Sequence, residues 1–150
     1  MLVGYPRLEA LFRRAAGLDL TKQRAKEICE FVQVKLHDLL LVAERNARYN
    51  NRQVIWEADL PLTKGLAESI RRYRELEMEE GVELEPILEY LATVPPLAYP
   101  LEVEVEQRLP EIVGGLMLCM ARILKVPNGG GRAFEPDHLE AAEEILDLTL

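Results

Sequence analysis

From Lys22 to Tyr49 the chain runs 28 residues without a glycine or a proline. Ala25, Ile28, Cys29, Val32, Leu36, Leu39, Leu40, Ala43 and Ala47 recur there at the spacing of one apolar helix face. At 1.5 Å per residue such a helix is about 40 Å long. A chain of 150 residues cannot bury a helix of that length in a compact bundle unless other helices cross it. The long helix therefore constrains the fold more than any other feature.

Its surroundings read as helical too. Leu8, Leu11, Phe12 and Ala15 fall at i, i+3, i+4 and i+7, a short helix that Gly17 can cap. Asp19 and Thr21 offer N-cap oxygens for the long helix. Asn50 and Asn51 end it, and a short helix is expected around Trp56 to Leu60, stopped by Pro61. Thr63 then caps a helix through Leu66, Ile70 and Tyr73, which fades in the acidic stretch ELEMEEGVELE. Gly81 marks a boundary.

Beyond it the scheme repeats. Leu84, Ile87, Leu88 and Leu91 form a second short apolar stripe, ended by the prolines of VPPLAYP. A long stripe follows through Leu109, Ile112, Val113, Leu116, Met117, Met120, Ile123 and Leu124, with Pro110 either starting or kinking the helix. PNGGGR breaks it, and a last helix opens at Pro136 and carries Leu139, Ala142, Ile145 and Leu146. Each half thus reads short helix, long helix, short helix. The expected architecture is all-α, one compact domain of two halves, residues 1–80 and 81–150, whose long helices cross.

The charge is uneven. Residues 1–75 carry +4 and residues 76–150 carry −12, for a net −8. A surplus of acid weakens binding to DNA, whose affinity comes largely from cations on phosphates. No run is long and apolar enough for a membrane helix, and MLVGYPRLEALFRR lacks the pattern of a signal peptide. A cytoplasmic setting, with Cys29 and Cys119 as reduced thiols on apolar faces, is the expectation. Asn and Gln, four of each, are few beside Glu and Arg, which leans toward a thermophile's composition.

Catalytic chemistry has little to stand on. The two histidines, His37 and His138, each adjoin an aspartate, but neighbours on a helix point apart. No HExxH, CxxC or paired-acid spacing occurs, and GGGR at 129–132 lacks the Lys-Ser/Thr pair and preceding strand of a phosphate loop. The expectation is a non-enzyme with no catalytic residues, no metal ligands and no cofactor. Trp56 is expected to plug the core beside Arg52 and Asp59.

The stretches LFRRAAGLDLTKQRAKEI and ARYNNRQVIWEADL resemble the core of archaeal histones. Thr21 and Arg52 stand 31 positions apart, the separation of the matching Ser and Arg in that family. Arg52 and Asp59, seven apart, match its Arg–Asp clamp, which ties the second loop to the last helix. The resemblance covers roughly residues 6 to 62. GRAFEPDHLEAA resembles the same loop and helix in the second half, with Arg132 present but His138 at the acid's place and a spacing shorter by one. As a whole the chain resembles the DUF1931-like bacterial proteins with two histone folds, of unknown function and known from thermophiles. That resemblance implies an intramolecular pseudo-dimer of two histone folds.

It also implies DNA binding, and the matching positions depart from that. Ala10 stands where the family has a phosphate-contacting Arg, Asp19 where it has a loop Arg, and Gln53 and Val54 where it has Lys and Thr. Arg13 keeps a positive charge. Arg7, Arg13, Arg14, Lys22 and Arg24, with Lys26, are the candidate nucleic-acid contacts, or a solvated face with pairs such as Lys26–Glu30. Two functions follow. The first is a protein-interaction or assembly module that self-associates or binds a protein partner. The second is a DNA-binding architectural protein using the basic face of the N-terminal half.

Overall fold

A computed structural model describes residues 4–80, 84–126, 131 and 133–150. Among them six α-helices follow one another: α1 (Tyr5–Ala16), α2 (Lys22–Tyr49), α3 (Lys64–Glu80), α4 (Glu85–Leu91), α5 (Val103–Lys125) and α6 (Pro136–Thr149). The described residues hold no strand, only an isolated parallel bridge between Ile55 and Leu101. The boundary expected at Gly81 lies outside the described residues, as do Gly129, Gly130 and Arg132 of GGGR.

The local chemistry of the first half sets its element ends. Gly17 stops α1 in the left-handed region, φ 66°, and its amide donates to the Arg13 carbonyl at 2.8 Å. Thr21 caps α2 by accepting from the Arg24 amide at 3.2 Å, and Thr63 does the same for the Leu66 amide in α3. The face of α2 from Ala25 to Ala47 is buried along its whole length. Leu8, Leu11 and Phe12 of α1 join the same core.

Two expectations change, and the alternative left open at Pro110 is decided. The short helix around Trp56 to Leu60 is a 3-10 turn of three residues, Glu57–Asp59. The second long helix starts at Val103, before its apolar run, so Pro110 lies inside it. There the proline removes one backbone donor from the helix ladder, while Glu104 and Glu106 suit the first turn. Trp56 is 46% exposed and does not plug the core.

Helix α5 is the hub. It packs against α1, α2, α3, α4 and α6, and Ile112 through Leu118 are buried without a break. Gly114 and Gly115 make this possible. A Cβ on Gly115 would stand 2.4 Å from Ile70 Cγ1 and 3.0 Å from the Ile70 backbone nitrogen. One on Gly114 would stand 2.6 Å from the Tyr73 ring. The two glycines let α3 lie closer to α5 than a pair of alanines would allow.

Candidate functional site

The loop after α2 is held by Arg52. Its Nη1 donates to Asp59 Oδ2 at 2.5 Å and its Nη2 to Asp59 Oδ1 at 2.7 Å, a bidentate pair. Asp59 Oδ2 also accepts the Trp56 amide at 2.8 Å, so one carboxylate caps the 3-10 turn and anchors the guanidinium. The exposed Trp56 ring lies over the guanidinium, 4.0 Å from its carbon, and shields the pair from one side. Asn46 of α2 donates to the Asp59 carbonyl at 2.9 Å. Asp59 is 3% exposed. Hydrogen bonding from Arg52, opposed by burial and reinforced by the Trp56 amide, holds its carboxyl below the usual carboxylate range. The same bond raises the Arg52 guanidinium further above its ordinary value.

The same loop joins the two halves. Ile55 donates to the Pro100 carbonyl at 2.9 Å and accepts from the Glu102 amide at 3.0 Å. From α2, buried Glu44 accepts the Ala98 and Tyr99 amides at 2.7 and 3.2 Å, capping the loop that precedes α5. Arg48 reaches the Tyr99 hydroxyl at 3.4 Å and lies over its ring. Glu57, in the 3-10 turn, pairs with Arg108 of α5. The other end of the seam is tied by Arg74 and Arg108, which both bind Glu111. Among the described residues no buried side-chain nitrogen or oxygen is left without a partner.

The second junction follows the same plan with different chemistry. His138 Nδ1 accepts the Glu135 amide at 3.3 Å, where Asp59 accepts the Trp56 amide in the first half. Arg132 lies outside the described residues.

The candidate nucleic-acid residues lie together on α1 and the start of α2. Arg7, Arg13, Arg14 and Lys22 are exposed, and Arg24 is half-buried. Several of these charges are engaged within the chain. Arg13 pairs with Glu9 at 3.2 Å and Asp19 at 3.7 Å, and Arg24 with Glu27 at 2.9 Å. No ion pair joins Lys26 to Glu30 among the described residues; Glu27 takes the pairing role on that face.

Both thiols are raised above their ordinary value. Burial, with Glu30 adding to it, pushes Cys29 up to about 12. Burial also raises Cys119, whose Sγ lies 3.2 Å from the Ser69 hydroxyl. No group of three His, Cys, Asp or Glu fit to hold a metal occurs among the described residues. No helix there is long and apolar enough to cross a membrane.

Two features escape the sequence reading. Glu44 caps a loop more than fifty residues away, and no local pattern marks it. Buried Lys35 of α2 pairs with Asp147 of α6 at 2.5 Å; its place among apolar residues on the α2 face is the signal that could have found it.

The comparisons agree with one another. A family model described as "Domain of unknown function (DUF1931)" matches residues 8–147. Two uncharacterized proteins of Aquifex aeolicus (strain VF5) are each 31% identical to the chain. The matches cover 96% and 93% of this chain and 82% and 87% of theirs. A crystal structure of a Thermus thermophilus protein superposes with a TM-score of 0.87 at 43% identity, covering both chains in full. The crystal structure of Aquifex aeolicus protein AQ328 gives 0.84 at 29% identity, covering 98% of this chain and 95% of that one.

Proposed function

The chain belongs to the DUF1931 family, and from that premise we propose that it is a non-enzymatic assembly module built as an internal dimer of two histone folds. The short–long–short helix order in each half supports the histone-fold reading, and so does the Arg52–Asp59 clasp at the end of the first long helix. The observation that carries the reading is the loop bridge at Ile55 and Leu101. It joins the loop after one long helix to the loop before the other, so each half meets its dimer partner inside one chain.

What such an internal dimer leaves outside can meet another protein. Val34 and Leu41 on α2, and Ile145 and Leu148 on α6, are exposed large apolar side chains. Lys35 of α2 pairs with Asp147 of α6, next in sequence to Val34 and Leu148. The reading assigns this surface to self-association, with a second copy as the partner. It places the protein in the cytoplasm, where free Cys29 and Cys119 suit a reducing compartment. Sedimentation of the full chain tests it. Concentration-dependent association that Leu41→Asp and Leu148→Asp abolish is expected, and a monomer at every concentration refutes it.

The second reading is a DNA-binding architectural protein using Arg7, Arg13, Arg14, Lys22 and Arg24. It is favoured by the clustering of these five on one end of the N-terminal half. Against it stand the carboxylates already paired with Arg13 and Arg24 and the net charge of −8. A gel shift with duplex DNA, titrated with salt, decides it. Binding that weakens with salt and with Arg13→Glu supports this second reading; no shift at low salt removes it.

A further inference from the structure

Arg72 of α3 and Arg122 and Lys125 of α5 line one open groove of about 740 Å³ beside the end of α6. All three are exposed, and none makes an ion pair with a described residue. The acids near them are committed elsewhere. Glu68 and Glu75, each one turn from Arg72 on α3, pair with Arg71 instead. No Asp or Glu is among the described residues that line the groove. In a chain with 26 acidic and 18 basic residues, three cations around one hollow lined by no described Asp or Glu side chain concentrate positive charge.

The rest of the wall is different in kind. Leu66, Ile123 and Leu146 give it an apolar surface next to the cations. Its volume lies in the range of small-molecule sites, roughly 300 to 1,000 Å³. A guanidinium offers paired donors to a carboxylate or phosphate, and an ammonium adds a point charge.

We propose that this groove binds a small amphipathic anion, with its phosphate or carboxylate head between Arg72, Arg122 and Lys125 and its apolar body on Leu66, Ile123 and Leu146. The site shares no residue with the loop seam or with the α2–α6 surface, so it stands apart from the assembly reading.

Calorimetry on the full chain tests this with four probes: monooctyl phosphate and octanoate below their micellar concentrations, inorganic phosphate, and octanol below its solubility limit. One amphiphilic anion should bind saturably, one per chain, at least about tenfold tighter than inorganic phosphate and octanol, the loss expected when charge-assisted bonds or apolar contacts are missing. Whether octyl phosphate or octanoate wins identifies the head group. The R72A/R122A double variant should weaken binding at least about tenfold with an unchanged unfolding midpoint, because both residues are exposed. Occupancy should also slow alkylation of the partly buried Cys119, which lines the groove, while the fully buried Cys29 stays unreactive throughout. The proposal is overturned if neither anion binds saturably, if octanol matches them, or if the double variant binds as well as the wild type. It is also overturned if duplex DNA or an acidic polypeptide, and neither octyl anion, binds through the same residues.

Discussion

The junctions after the two long helices do the same job with different chemistry. In the first, Asp59 caps a 3-10 turn and receives two hydrogen bonds from Arg52. In the second, His138 Nδ1 accepts the Glu135 amide at 3.3 Å at the first turn of α6. The first is buried and bidentate; the second, among the described residues, shows a longer and exposed contact. A capping geometry can therefore persist while the strength behind it changes, and the first junction should dominate the stability of the fold.

Asp59→Ala gives the largest expected effect. It removes a bidentate ion pair and a cap, and it leaves a guanidinium facing a nearly buried site, for a loss of about 3 kcal/mol. Urea unfolding with an unchanged m-value checks it; a midpoint equal to that of the wild type would mean the clasp contributes nothing.

Gly115→Ala comes next and probes the seam that both halves share. The added carbon meets the Ile70 backbone as well as its side chain, so α3 must shift, at a cost of about 2 kcal/mol. Thermal unfolding reads the loss, and an unchanged Tm would show that the α3–α5 approach has slack. His138→Ala should cost less, about 1 kcal/mol or under, as for an ordinary cap. If it matches Asp59→Ala in the same urea titration, the contrast between the junctions fails.

Acid should separate the halves further. Asp59 titrates below its unfolded value, so its contribution is present above the ordinary carboxylate range and is lost as pH falls through the lowered folded value. Glu143 on α6 has the opposite sign. Burial, then Glu27, Asp147 and Glu140, raise its carboxyl above the usual range, so its ionisation on raising the pH works against the fold. Asp59→Asn should flatten the fall in stability below about pH 4. Glu143→Gln should slightly raise stability at neutral pH, the smallest of these effects. A pH profile that neither variant alters would contradict the assignment.

Much of this was legible in the residues. The Gly-free and Pro-free run fixed α2, Gly17 and Thr21 marked its approach, and the resemblance of Arg52 and Asp59 to the archaeal-histone clamp pointed to the clasp. The first two signals are local, periodicity and caps, and the third is a match of residues across one short loop. What was not legible depends on distant neighbours. Trp56 reads as a core residue by type, yet it covers Arg52 from outside because Ile55 takes the buried place in the loop. Val103 starts α5 ahead of its apolar run because Leu101 bridges to Ile55 and the Glu102 amide donates to the Ile55 carbonyl. Gly114 and Gly115 carry a signal, two glycines inside a helical run, but only Ile70 and Tyr73 explain it. The cationic groove draws on α3, α5 and α6, and no stretch of sequence holds its cations together.

The assembly claim is tested most directly by sedimentation velocity of the full chain, alone over a concentration series and mixed with labelled duplex DNA at low salt. The account predicts association that grows with concentration, is lost in Leu41→Asp and Leu148→Asp, and leaves the DNA sedimenting on its own. A 17.1 kDa monomer at every concentration, or protein that travels with the DNA, would contradict it.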